Sequence, residues 1–331
     1  MSSRHRLCVA PMMDWTDRHC RYFLRQVSGE AFLYTEMITT GALLHGDVER
    51  HLAFSPEEHP VAVQLGGSEP EDLARSAKMA EDYGYDEVNL NIGCPSERVQ
   101  RGAFGACLMA EPGLVADCVR AIRESVRVPV TVKHRLGLNK VEDFSFVEKF
   151  VRTVSEAGCR TFIVHARNAV LRGLSPKENR EIPPLRYDAV YRLKQEFPQL
   201  EIILNGGLKT IEPVPEVDGI MLGRAAYHDS WVLADEGNTR ARVVEKMQEY
   251  CAVQIAAGAS LRHVARHMLG LYHGHPRARL WRRMLSDAAR LSQNDPALLG
   301  EARAAVESGL EGNTSEVLHE RRTQAPQAEA R

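Results

Sequence analysis

Eight short apolar runs constrain the fold of this chain more than any other feature. They are RLCVAPM (6–12), AFLYTEM (31–37), VAVQLGG (61–67), DEVNLNI (86–92), PVTVKHR (129–135), RTFIVHA (160–166), EIILNGG (201–207) and DGIMLGR (218–224). Amphipathic stretches of helical period separate most of them, among them EDLARSAKMAEDY (71–83), GLVADCVRAIRESV (113–126) and FSFVEKFVRTVSEAG (144–158). Apolar runs without polar alternation are buried on both faces, which belongs to parallel sheet. Strand–helix alternation repeated eight times over about 220 residues has the size of a (β/α)8 barrel. An open doubly wound sheet is the alternative, but no GxGxxG follows the first run, so its dinucleotide fingerprint is missing. The expected fold class is therefore α/β, a TIM barrel over 1–236. A smaller all-helical domain is expected over 237–311, where strand candidates cease, and a disordered polar tail over 312–331.

Composition narrows the function by exclusion. Seven cysteines (8, 20, 94, 107, 118, 159 and 251) are an odd number without a CxxC pair, which argues against a disulfide framework and against a zinc or iron–sulfur site. Cys107, Cys118 and Cys159 fall in or beside helical patterns and read as small buried hydrophobes. His263 and His267 stand four apart in HVARH without the glutamate of a zinc protease motif. The N-terminal MSSRHRLCVAP carries no apolar leader and no run approaches a membrane span, so a cytoplasmic protein is expected, monomeric and without metal. A formal charge of −2 leaves any nucleic-acid surface to a local basic patch. One exists: SLRHVARHMLGLYHGHPRARLWRRMLSDAAR (260–290) holds seven arginines against the single acid Asp287.

Catalytic groups of a barrel sit at the carboxyl ends of its strands. Read in order, these ends give Pro11, Met12 and Met13, then Glu36, Gln64, Asn91 with Cys94, Lys133, His165, Asn205-Gly206-Gly207 and Gly223-Arg224. Glycines after the seventh and eighth strands suit a phosphate pocket, to which Arg224 would add a charged fork; a plain turn is the other reading of Gly206 and Gly207. Lys133 lies within an apolar strand, where an ammonium needs a partner. A flavin ring, a Schiff-base carbonyl and a structural ion pair are equally open. His165 suits a flavin edge, a phosphate or a backbone carbonyl, and Gln64 suits a ring carbonyl and N–H. Cys94, between Gly93 and Pro95, closes a strand whose Asn89 and Asn91 stand where aliphatic residues would pack better. An ordinary thiol is protonated at neutral pH, so without an adjacent histidine it is an acid rather than a nucleophile; a buried structural cysteine is the plainer reading.

APMMDWTDRHCRYFLR (10–25), LNIGCPSERVQRGAFGACLM (90–109), VKHRLG (132–137), HARNAVLRGLSPKENREIPPL (165–185), LNGG (204–207) and MLGRAAY (221–227) together resemble the tRNA-dihydrouridine synthases, specifically their A subfamily. The resemblance runs from about residue 6 to residue 290 with its motifs in family order, and leaves the tail uncovered. It implies an FMN enzyme on a barrel with a helical domain that grips tRNA. NADPH would reduce the flavin, the flavin would pass hydride to C6 of a uridine at position 20 or 20a of the D loop, and Cys94 would protonate C5. Pro11, Met12, Met13, Gln64, Lys133, His165, Asn205, Gly206, Gly207, Gly223 and Arg224 would hold FMN, and Asn91, Lys177, Arg180, Arg279 and Arg282 would contact tRNA. A uridine inside folded tRNA must be swung from its stack, so backbone grip has to offset a few kcal/mol. The arginines of 262–290 suit phosphates, with Tyr272 and Trp281 expected to stack on bases; a solvated arginine face over an aromatic core is the competing reading. Three other functions compete: an FMN dehydrogenase of a free pyrimidine such as dihydroorotate, a Schiff-base aldolase using Lys133, and a non-catalytic RNA-binding barrel. The arginine-rich helical region speaks against the first.

Overall fold

In a computed structural model, which describes residues 3–139 and 143–308, all eight apolar runs form strands. These are β1 Leu7–Val9, β2 Leu33–Thr39, β3 Val61–Gly66, β4 Glu87–Ile92, β5 Val130–Arg135, β6 Thr161–His165, β7 Glu201–Asn205 and β8 Gly219–Leu222. Every neighbouring pair is parallel, in the order β1-β8-β7-β6-β5-β4-β3-β2. The two ends of that order meet where Cys8 bridges Phe32: Val9 N donates to the Phe32 carbonyl at 2.9 Å and Phe32 N to that of Leu7 at 2.8 Å. Closure leaves the sheet no exposed edge, and the result is a (β/α)8 barrel followed by a helical region. The segment 312–331 lies outside the described residues.

The connecting helices begin and end as their residues dictate. Asp17 accepts from Cys20 N at 2.9 Å to cap Arg18–Val27, and Asp143 accepts from Ser145 N at 2.9 Å to cap Phe144–Glu156. Pro70–Tyr83 and Pro112–Ser125 each open on a proline, whose missing N–H would have no intrahelical partner there. Each turns one apolar stripe inward, for example Val115, Val119 and Ile122, or Val147, Phe150 and Val154.

Strand register decides what fills the barrel. Gln64 lies beside Asn89, Asn89 beside Thr131, Asn91 beside Lys133, Lys133 beside Ile163, and His165 beside Asn205. These positions share one parity and line the interior. On β1, β2, β6, β7 and β8 the same parity is largely apolar, so Cys8, Phe32, Tyr34, Ile163, Ile203 and Met221 belong to one buried cluster. Burying each large side chain contributes roughly 1.5–3 kcal/mol. On β3, β4 and β5 it is polar, and Glu87, Asn89, Gln64 and Thr131 are nonetheless buried.

The chain divides into two compact units, Met1–Tyr227 and His228–Arg331. The described elements of the second are helical: Arg240–Ala256, Leu261–Ala265, Ala278–Met284, Ala288–Ser292 and residues 297–308, with short 3-10 turns between. Its core corrects one expectation. Trp281 is fully buried and donates its indole N–H to the Met268 carbonyl at 2.8 Å, while Tyr272, buried beside it, donates to Glu307 at 2.7 Å. Their rings pack at 4.8 Å between centroids. Neither is available to stack on a base; the helical period sends Trp281 inward and Arg279, Arg282 and Arg283 outward.

Candidate active site

The mouth of the barrel, where the strands end, gathers most of the residues singled out from sequence. After β4 the chain turns around Asn91, whose side-chain oxygen accepts from Gly93 N at 3.1 Å and from Cys94 N at 3.0 Å. Its amide nitrogen donates to Gln64 Oε1 at 2.7 Å. Asn91 is only 9% exposed, so its amide is occupied within the barrel. Cys94 is half-buried, with Ser96 Oγ 3.5 Å from its sulfur and its carbonyl accepting from Ala106 N at 3.0 Å. Gly105 makes that approach possible: φ is +76°, and a β-carbon there would lie 2.7 Å from the Cys94 carbonyl oxygen.

Lys133 donates to Asn205 Oδ1 at 2.9 Å, and Asn205 Nδ2 donates to the Met221 carbonyl at 2.7 Å. An amide does not neutralise an ammonium. Burial, reinforced by the charge of Arg135, pushes Lys133 down to about 7. His165 is held well below its ordinary value by burial and then by Arg135 and Lys133, so its ring is neutral. Its Nδ1 is buried and has no hydrogen-bond partner among the described residues. Gly206 and Gly207 follow with φ of +109° and +72°, and Tyr187 donates to the Gly206 carbonyl at 2.7 Å. A β-carbon on Gly206 would come within 3.2 Å of His165 Nε2, and one on Gly207 within 2.6 Å of Leu185. Two consecutive left-handed glycines thus keep a bare backbone beside the Nε2 edge of the His165 ring.

Arg135 escaped sequence reasoning. It is buried, and it donates to the Gly93 carbonyl at 3.0 Å, to that of Asn168 at 3.1 Å and to that of Asn179 at 2.9 Å. It therefore ties the Cys94 loop to two segments beyond β6. Burial lowers its guanidinium to about 10, and its hydrogen-bond partners among the described residues are these three carbonyls, none a carboxylate. The only signal in sequence was its place two residues after Lys133, on the same face of β5. Cys94 lies within electrostatic reach of Lys133, Arg135 and Arg180. Five of the other six thiols are held protonated: burial lifts Cys118, Cys159 and Cys251 to about 12 and also raises Cys8 and Cys107.

The remaining expected residues are spread more widely. Met12 packs on the barrel core and Met13 is 55% exposed. A β-carbon on Gly223 would make only ordinary contact, with Ala10 and the Met12 sulfur at 3.7 and 3.8 Å. Arg224 pairs with Glu181 at 2.6 Å. Lys177 and Arg180 are exposed on the segment after β6, and Arg279 and Arg282 are exposed in the second unit.

The profile of the dihydrouridine synthase (Dus) family matches residues 8–307. The chain belongs to the dihydrouridine synthase family. Its similar relatives include a tRNA-dihydrouridine(20/20a) synthase of Pseudomonas syringae pv. tomato, 55% identical over 90% of this chain and 93% of that protein. Proteins of the same name from Vibrio parahaemolyticus and Synechocystis are each 52% identical, over 94% and 91% of this chain and 99% and 94% of their own. The likeness to dihydrouridine synthases thus spans both units. Among the described residues, no helix of this family member is long and apolar enough to cross a membrane.

Proposed function

We propose that this dihydrouridine synthase reduces the C5–C6 double bond of a uridine in the tRNA D loop, at positions 20 and 20a, using FMN reduced by NADPH. One observation carries the reading. A half-buried thiol stands at the barrel mouth beside an ammonium without a carboxylate, a neutral histidine with an orphaned nitrogen, and a bare glycine turn. Those unfinished groups fit a polar ring that bears a phosphate. Gln64 and Lys133 suit the ring's hydrogen-bonding edge, and His165 Nδ1 offers a partner to a polar edge or to phosphate. Asn205, Gly206, Gly207, Gly223 and Arg224 suit the phosphate side, and Pro11, Met12 and Met13 the apolar side. When bound, reduced FMN supplies a hydride to C6 of the uridine.

The protein's own part is the proton. Cys94 donates its proton from sulfur to C5, within electrostatic reach of Lys133, Arg135 and Arg180. Lys133, poised near neutrality, offers a positive charge to the ring at little further desolvation. Exposed Arg279 and Arg282 suit tRNA phosphates, as Lys177 and Arg180 do after β6. Asn91 suits the substrate's edge only through the second N–H of its amide, since its oxygen already accepts from Gly93 N and Cys94 N and its first N–H is given to Gln64. A tRNA substrate fits a cytoplasmic enzyme, and we read it as a monomer.

Nucleoside mass spectrometry of unmodified tRNA incubated with the protein and NADPH tests this. A two-hydrogen gain at positions 20 and 20a is expected, and Cys94→Ala should keep its flavin while slowing the reaction roughly 10²–10⁴-fold. A preparation without flavin, or unchanged turnover by Cys94→Ala, would defeat the reading.

A further inference from the structure

We propose that Glu87, Thr131 and Asn89, buried within the barrel, are positioning residues that fix the Cys94 loop through a one-way run of hydrogen bonds. The inference rests on the reading of Cys94 as the proton donor. From the closed end upward, Thr131 donates to Glu87 Oε1 at 2.6 Å, and Asn89 Nδ2 donates to Thr131 Oγ1 at 2.8 Å. Gln64 Nε2 donates to Asn89 Oδ1 at 2.7 Å, and Asn91 Nδ2 donates to Gln64 Oε1 at 2.7 Å. Gly93 N and Cys94 N then donate to Asn91 Oδ1 at 3.1 and 3.0 Å.

Every arrow points the same way, and chemistry at both ends requires it. A carboxylate can only accept, so at the lower end the Thr131 hydroxyl must donate and receive with its lone pair. That leaves only the nitrogen of Asn89 to face it, which turns the Asn89 oxygen toward Gln64. The same reasoning turns the Gln64 oxygen toward Asn91, and the Asn91 oxygen toward the loop. At the upper end two backbone N–H groups can only donate, so they demand that oxygen. An amide rotated by 180° would set donor against donor at the loop and release it. Glu87 is kept an acceptor by His5, whose ring nitrogens lie 2.6 Å from Glu87 and 2.9 Å from Glu201, so that both carry protons. Asn89, Gln64, Thr131 and Glu87 are each no more than 1% exposed, so no solvent competes for the links.

Thr131→Val keeps the shape of the side chain and removes one link; Thr131→Ser keeps the link. Asn89→Asp keeps the shape but presents an oxygen where Thr131 needs a donor. In each variant the alkylation rate of Cys94 by iodoacetamide is followed against pH by peptide mass spectrometry, without tRNA, and kcat and KM are measured with tRNA. Thr131→Val and Asn89→Asp should shift the Cys94 alkylation profile and lower kcat roughly 10–100-fold with KM little changed, while Thr131→Ser returns both to wild type. A merely structural role would lower melting temperature and leave the Cys94 profile in place. Folded Thr131→Val and Asn89→Asp with wild-type profiles and kcat overturn the proposal; if Thr131→Val does not fold, Asn89→Asp alone decides. Should wild type reduce no tRNA while the Cys94 profile still moves, the run stands and the assigned reaction falls.

Discussion

The two ends of this barrel hold ionisable groups under opposite terms. At the closed end His5 sits between Glu87 and Glu201, with Thr161 donating to Glu201 at 2.6 Å and Tyr34 to Glu87 at 3.0 Å. Every polar group there is answered by another from the same chain. At the mouth, Lys133 is answered by an amide, Arg135 by carbonyls, and His165 Nδ1 by no group among the described residues. Both ends carry the cost of burying charge, but only one recovers it on folding. The closed end meets its buried charges with opposite charges, whereas the mouth meets its own with neutral groups among the described residues.

The largest effect should come from the residue that belongs to both descriptions. Arg135 is a mouth cation, yet its hydrogen bonds are structural. Arg135→Leu strands three carbonyls, and denaturant unfolding should show a loss of about 3–5 kcal/mol. Hydrogen exchange should quicken around residues 93–95 and 168–180 before it does elsewhere. A loss below about 1 kcal/mol, on the surface scale, would mean that water satisfies those carbonyls and that the loops stand without the arginine.

Next come two substitutions that should act with opposite sign. His5 is pulled down by burial but raised further by hydrogen bonds to Glu201 and Glu87, ending near 9 rather than 6.5. Its stabilisation is therefore complete below pH 6.5 and is lost as pH climbs through 9. Glu201 is raised by burial but lowered further by His5, to about 2 from 4.5, so its share is complete above pH 4.5 and lost as pH falls through 2. The cluster is strongest between those bounds, and the His5 shift corresponds to a contribution on the order of 3 kcal/mol. Lys133 runs the other way. With its value lowered from 10.5 to about 7, it destabilises the unliganded protein fully below pH 7 and progressively less toward 10.5. At pH 6, in denaturant unfolding without ligand, Lys133→Met should be more stable than wild type by about 1–3 kcal/mol, and His5→Gln less stable by a similar amount. Both differences should shrink by pH 9.5. Equal signs at pH 6 would erase the contrast between the ends.

What the sequence made legible follows the same division. The strands could be read because strands buried on both faces show as unbroken apolar runs, and Cys94 because a thiol between glycine and proline interrupts one. Asn89 announced itself only as a misfit on β4. Its partners Gln64 and Thr131 lie on β3 and β5, and which residues face one another depends on register between strands that local periodicity does not carry. His5 and Glu201 meet across 196 positions of chain, and nothing near either residue hints at the other. Trp281 was read with its arginine neighbours as one surface because adjacency in sequence conceals the helical turn that separates them.

The smallest effect extends the comparison to the second unit. Arg279 and Arg282 are exposed on Ala278–Met284 and, among the described residues, make no ion pair, so they resemble the mouth rather than the closed end. Their burial is slight, so Arg279→Ala or Arg282→Ala should leave stability within about 0.5 kcal/mol of wild type. The change should appear in tRNA binding. Each phosphate contact releases condensed counterions, so removing one arginine should weaken binding at all salt concentrations and flatten the slope of log K against log [salt] by about one. Filter binding between 50 and 200 mM salt, on the order of the range in which such contacts are lost, measures both at once. A weakened affinity with an unchanged slope would mean that the side chain meets a base or another part of the protein. An unchanged affinity would make these arginines a solvated face, and would confine their likeness to the barrel mouth to charge alone.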